Sequence, residues 1–194
     1  MPRSTAGRAA TLAALCLGLF ASSRALALPP EHMSETDWQK VRLKKYQLVE
    51  MTLGLQGYDP VAYFPEGDAK EHKGKAAKGS EKIELTYNGV VYRFITAANR
   101  DLFKEHPEKY EPAFGGWCAY AAAKEKYTKP SPKSFRIEHG RLMLFYVDLF
   151  TDTNKLWVKE GPATLEPLAD AWWNKETGER PPKKPEDAEP TDKP

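Results

Sequence analysis

Between Ile83 and Phe94 the chain alternates apolar and polar residues on both sides of Asn88-Gly89, a pattern that suits a β-hairpin and no helix. Ile83, Leu85 and Tyr87 lead in, and Val90, Tyr92 and Phe94 return. Asn-Gly is the pair that a two-residue type I′ turn favours, because both central residues take positive φ. The hairpin runs straight into a helix signal: Thr96 is a cap for Ala97 to Glu105, Leu102 and Phe103 face inward, and Pro107 marks the end. A second hairpin is expected from Phe135-Arg136-Ile137 through a turn at His139-Gly140 to Leu142–Val147. The pattern predicts an α+β domain, with a small antiparallel sheet (hairpins about 83–95 and 135–147) flanked by helices.

Ser34 followed by Glu35 and Asp37 reads as a helix start, leading into Trp38, Val41, Leu48 and Val49, with Gly54 and Gly57 ending the helix. Gln56 to Pro65 is an aromatic-rich segment with turn chemistry at Asp59-Pro60, and Glu66 to Gly79 reads as a loop. Near the other end, Asp152 or Thr153 caps a short helix through Trp157. Pro162 opens a further helix, on which Leu165, Leu168 and Trp172 share a face.

The first 27 residues have the form of a cleavable secretory signal: Arg3 and Arg8, an apolar run from Ala9 to Ala21, and an A-x-A site ending at Ala27. The run is too short to span a bilayer. The expected product is periplasmic or secreted, with no transmembrane anchor after cleavage. The chain carries 29 basic and 27 acidic residues; removing Arg3, Arg8 and Arg24 leaves 26 against 27, so the mature protein is near neutral. With no basic stripe interleaved with aromatics, nucleic acid is not an expected partner. Of Cys16 and Cys118 only the second survives cleavage, which leaves one thiol and no intramolecular disulfide. Residues 174–194 hold five prolines among charges of both signs and read as a disordered tail, available to an envelope protein partner. The expected organisation is a signal over 1–27, a single domain over 28–173 and the tail.

Three spaced segments resemble the exported YHS-domain proteins. They are Gly57-Tyr58-Asp59-Pro60-Val61-Ala62-Tyr63-Phe64, the hairpin and helix through Phe103 with Pro107 and Tyr110, and Phe114-Gly115-Gly116-Trp117-Cys118-Ala119-Tyr120. The likeness continues into Phe135-Arg136-Ile137 and Gly140-Arg141-Leu142. It implies a treble-clef-like hairpin-helix core. Metal-binding members of the family place cysteines after Asp-Pro-Val and around the hairpin-to-helix junction. Here those places hold Ala62 and Phe94-Ile95-Thr96-Ala97-Ala98-Asn99, so the resemblance carries the scaffold without the soft ligands.

The candidate ligand-binding residues are Tyr58, Asp59, Tyr63, Gly115, Gly116, Trp117, Cys118 and Tyr120. Cys118 is expected in the first turn of a short helix, where the dipole and free N–H groups would favour a thiolate; a buried thiol, a ligand and a nucleophile all remain open readings. Gly115-Gly116 forms either a tight turn or an anion cradle. Asp59 is a turn-former or, less simply, a base. The aromatic residues build either core or a pocket wall. For copper or zinc the candidate set is Cys118 with His106 and His139, or, for monovalent copper, Cys118 with one histidine and Met51 or Met143, although no zinc-ligand spacing is present. The function expected is that of an exported, non-enzymatic binding or accessory protein for a small ligand or metal ion. The alternatives are a thiol-dependent enzyme or redox protein, and an envelope interaction module.

Overall fold

The computed structural model describes residues 29–67 and 73–181. The signal segment, Cys16, His72 and the tail beyond Pro181 lie outside the described residues. The order of elements is α1 (Glu35–Lys45), β1 (Leu48–Val49), β2 (Leu53–Gly54), β3 (Ser80–Tyr87), β4 (Val90–Phe94), α2 (Ala97–Glu105), α3 (Pro107–Tyr110), α4 (Ala119–Ala122), β5 (Ser131–Glu138), β6 (Arg141–Phe145), α5 (Thr153–Glu160) and α6 (Pro162–Thr177). The fold is α+β. Among the described residues no helix is long and apolar enough to cross a membrane.

Both hairpins form about the turns read from the sequence, with Asn88 and Gly89 at φ 46° and 85° and His139 and Gly140 at 49° and 75°. They occupy separate sheets. β4 pairs antiparallel with β3 and parallel with β2, giving the order β1-β2-β4-β3, while β5 and β6 stand as a two-stranded ribbon. Val90, Tyr92 and Phe94 are fully buried and meet Phe103 of α2, whose ring lies 4.9 Å from Tyr92 and 5.4 Å from Phe94. Thr96 caps α2 by accepting from the Asn99 N–H.

Three expectations are corrected. The first helix stops at Lys45, where Tyr46 turns extended, and Glu50 and Met51 then take positive φ and fold Leu48–Val49 back on Leu53–Gly54 as a tight antiparallel pair. Leu168 is half exposed; the buried face of α6 is Leu165, Ala169, Trp172 and Trp173, the i, i+4, i+7, i+8 stripe. Pro107 marks the end of α2 as expected and also opens α3 as its first residue, where its missing N–H costs nothing. The domain does not end at Trp173: α6 runs to Thr177, Gly178 closes it in the left-handed conformation, and Glu179 turns back onto the body of the protein.

β6 is buried along its whole length. Residues 112–118 run beside it, with parallel bridges from Pro112 to Leu142 and from Cys118 to Leu144. The Gly-Gly-Trp-Cys segment is thereby packed into the core as an irregular companion strand.

Candidate functional site

Asp59 is fully buried and accepts four hydrogen bonds from the chain itself. Oδ1 takes the N–H groups of Val61 (2.8 Å) and Ala62 (3.3 Å). Oδ2 takes the Ile95 N–H (2.8 Å) and Asn99 Nδ2 (2.7 Å). Burial pushes its pKa above the ordinary aspartate value against the pull of those donors. The side chain pins the Tyr58–Phe64 turn to the junction of β4 and α2, a structural use that occupies both oxygens. Tyr63 is buried, donates to the Pro132 carbonyl at 2.9 Å, and sits edge-on to Phe135. Tyr58 stays partly exposed beneath the Lys78 ammonium.

Cys118 is fully buried. It stands at the N-cap of α4, a helix of four residues, with its sulfur 3.3 Å from Thr153 Oγ1 and accepting from the Tyr146 N–H at 3.3 Å. The expected first-turn position is therefore one residue off, and the packed reading describes the thiol. Phe114, Gly115 and Gly116 are three successive left-handed residues. The N–H groups that follow are spent: Trp117 donates to Phe114 O and Cys118 to Thr128 O. The glycine pair makes a tight turn. A Cβ on Gly115 would stand 2.7 Å from Trp173 and 2.8 Å from Tyr46, so glycine alone lets those rings close over it. Trp117 donates to Lys45 O, and Tyr120 to Glu160.

The proposed metal ligands do not assemble. His106 is exposed beside Glu108, His139 Nδ1 lies 2.8 Å from Glu166 Oε2, Met51 is exposed, and Met143 is buried in β6. Among the described residues no group of three His, Cys, Asp or Glu side chains is placed to hold a metal ion.

The structure opens a cavity elsewhere, of about 770 Å³, between α1, the Pro112–Gly115 turn and the end of α6. Of the eight predicted ligand-binding residues only Gly115 lines it. Its floor is Arg42, which is 1% exposed. The guanidinium lies over Tyr46 at 4.3 Å and Trp38 at 5.0 Å, and donates to Tyr46 OH (2.6 Å), to Glu179 Oε1 (3.0 Å) and to Glu111. Burial pulls its pKa down, but Glu111, Tyr46 and Glu179 more than offset that and hold it above the ordinary arginine value. Burial raises Glu111 against the pull of Arg42, and Tyr92 donates to the same carboxylate at 2.7 Å. Beside this cluster Arg141 makes a two-pronged contact with Asp170 (2.8 and 3.2 Å) and one with Glu166 (2.9 Å), its guanidinium over Phe114.

Two polar atoms on cavity-lining residues are buried without a partner: Arg42 Nε and Glu108 Oε2. Both described ends of the chain reach the cavity rim, where Pro30 packs against Gly178 and Arg180 faces Glu31. One sequence signal for this site exists. Trp38, Arg42 and Tyr46 recur at i, i+4 and i+8, an aromatic-arginine-aromatic stripe on one face of α1. Glu111, Trp173 and Glu179 carry no local signal, since only the tertiary fold brings them there.

No protein-family model, curated protein or solved structure matches the chain.

Proposed function

We propose that this chain is an exported, non-enzymatic binding protein of the YHS-like kind, and that its ligand is a small organic molecule held in the Arg42 cavity. The observation that carries this reading is a cavity of about 770 Å³ whose wall joins Trp38, Phe114 and Trp173 to a buried guanidinium whose Nε has no acceptor. Ligand sites are concave, largely apolar and oriented by a few polar groups, and this volume suits a molecule of ordinary metabolite size. Phe114, a non-glycine residue at φ 56°, adds local strain at the wall, as ligand clamps often do.

The GYDPVAYF and GGWCA segments support this reading as scaffold. Asp59 and Cys118 spend their polar atoms on the fold, and Gly115 lets the cavity wall close. Burial of Cys118 weighs against a thiol enzyme.

The test is a small-molecule screen by thermal shift on the mature protein, repeated on Ala113→Phe, which puts a ring into the cavity. Compounds that stabilise the wild type and leave Ala113→Phe unmoved support the site. Hits that stabilise both alike would place the ligand elsewhere.

A further inference from the structure

We infer that Glu179 is a resident stand-in for the carboxylate of a small organic acid, filling the anchoring subsite of the cavity until ligand displaces it. This rests on the binding-protein reading and names the ligand class. Four side chains converge on the two oxygens of Glu179. Oε1 accepts from Trp38 Nε1 (3.0 Å), Arg42 Nη1 (3.0 Å) and Tyr46 OH (3.0 Å), and Oε2 from Trp173 Nε1 (2.9 Å) and Tyr46 OH (2.9 Å). Indole and guanidinium groups only donate, so the constellation is complete only around an acceptor with two oxygens in one plane. A carboxylate has that form, and charge-assisted bonds to it are the strong ones.

The receptor belongs to the rigid body of the protein, on α1 and the last turns of α6. Its present occupant does not. Glu179 lies beyond the helix, after the left-handed Gly178. It is tied back by its own N–H to Thr177 Oγ1 and by Asn174 Nδ2 to its carbonyl. Rotation at Gly178 carries it out of the pocket while α6 stays whole. A free carboxylate entering in its place leaves the charge of the cluster unchanged, with Arg42 still paired to Glu111. The rest of the cavity lies next to this subsite, with Phe114 and Pro112 to receive an apolar body. An occupant tethered so closely competes at high effective concentration, so it lowers the apparent affinity for free ligand by the fraction of time it stays bound.

The probe is benzoate, with benzamide as its uncharged counterpart, titrated by calorimetry into the mature wild type, Glu179→Ala and Glu179→Gln. The expected result is one benzoate site in Glu179→Ala, at least tenfold tighter than in the wild type, with benzamide bound far more weakly. Adding Trp173→Phe, which removes one N–H, should weaken it again. If Glu179→Ala does not fold, Glu179→Gln carries the same comparison. Benzoate affinity equal in the wild type and a folded variant overturns the inference. Should screen hits still compete with the Ala113→Phe ring while benzoate behaves so, the binding-protein reading stands and only the role of Glu179 falls.

Discussion

Arg42 and Glu179 stand 137 residues apart in the chain, yet Arg42 Nη1 lies 3.0 Å from Glu179 Oε1, with Arg42 1% exposed. The pair joins the first helix of the domain to the residue just past its last. It also makes the floor of the cavity a charged cluster, with Glu111 on the other side of the guanidinium. Removing one partner from such a buried group leaves uncompensated charge, which costs far more than the pair contributes net.

Arg42→Met should therefore destabilise the protein by about 3–5 kcal/mol, since it strands Glu111 and Glu179 together. Arg42→Lys should recover only part of this, because an ammonium cannot fork to two carboxylates and a tyrosine as a guanidinium does. Urea denaturation of the three proteins measures it. A loss below about 1 kcal/mol for Arg42→Met would assign the cluster to the weak surface class of ion pairs.

Asp59→Asn should cost about 2–4 kcal/mol, because the amide nitrogen would face the Ile95 and Asn99 donors and leave them buried without an acceptor. The loss should also depend on pH. A carboxyl whose folded pKa is raised binds protons more readily folded than unfolded. Its contribution is present in full below the ordinary aspartate value and is lost as pH rises through the folded value. The stability difference between wild type and Asp59→Asn should thus widen on acidification. A difference that narrows as pH falls would mean that the four donors outweigh burial.

Gly115→Ala should destabilise by about 2–4 kcal/mol, combining the cost of an alanine at positive φ with overpacking against Trp173 and Tyr46. Gly140→Ala is the control, with the same sign of φ and open space around its Cβ. Thermal unfolding should show the smaller shift for Gly140→Ala; equal shifts would remove the argument for ring closure over Gly115.

Cys118 should alkylate only as the protein opens, with a rate that climbs steeply in sub-denaturing urea. Copper(I) and zinc should bind wild type and Cys118→Ala equally weakly. Rapid alkylation of the native protein, or metal binding lost in Cys118→Ala, would return the thiol to a functional role.

Much of the fold was legible because its strongest signals are local. The period-two runs around Asn88-Gly89, the His139-Gly140 turn, and the caps Ser34, Thr96 and Asp152 act within a few residues and appear as read. The β1–β2 turn was not legible, because Glu50 and Met51 adopt left-handed backbone without a glycine to announce it. The end of the domain was misplaced for a similar reason. Residues 174–180 are polar in composition, yet 174–177 continue α6, with Glu176 held by Lys45 and Tyr127, and Glu179 is held by two indoles, a tyrosine and an arginine. Composition cannot encode that match. The site moved with it: the motif residues Asp59 and Cys118 proved to be interior fasteners. The stripe Trp38-Arg42-Tyr46 was visible in the sequence, but its meaning depends on what the fold sets opposite.

The most direct test is the behaviour of the indole N–H resonances as benzoate is titrated into Glu179→Ala. Those of Trp38 and Trp173 should shift together and saturably. Those of Trp117 and Trp157, which donate to Lys45 O and Glu138, should stay in place. If Trp38 and Trp173 do not move, or only Trp117 and Trp157 do, the donors around Arg42 are not a carboxylate subsite.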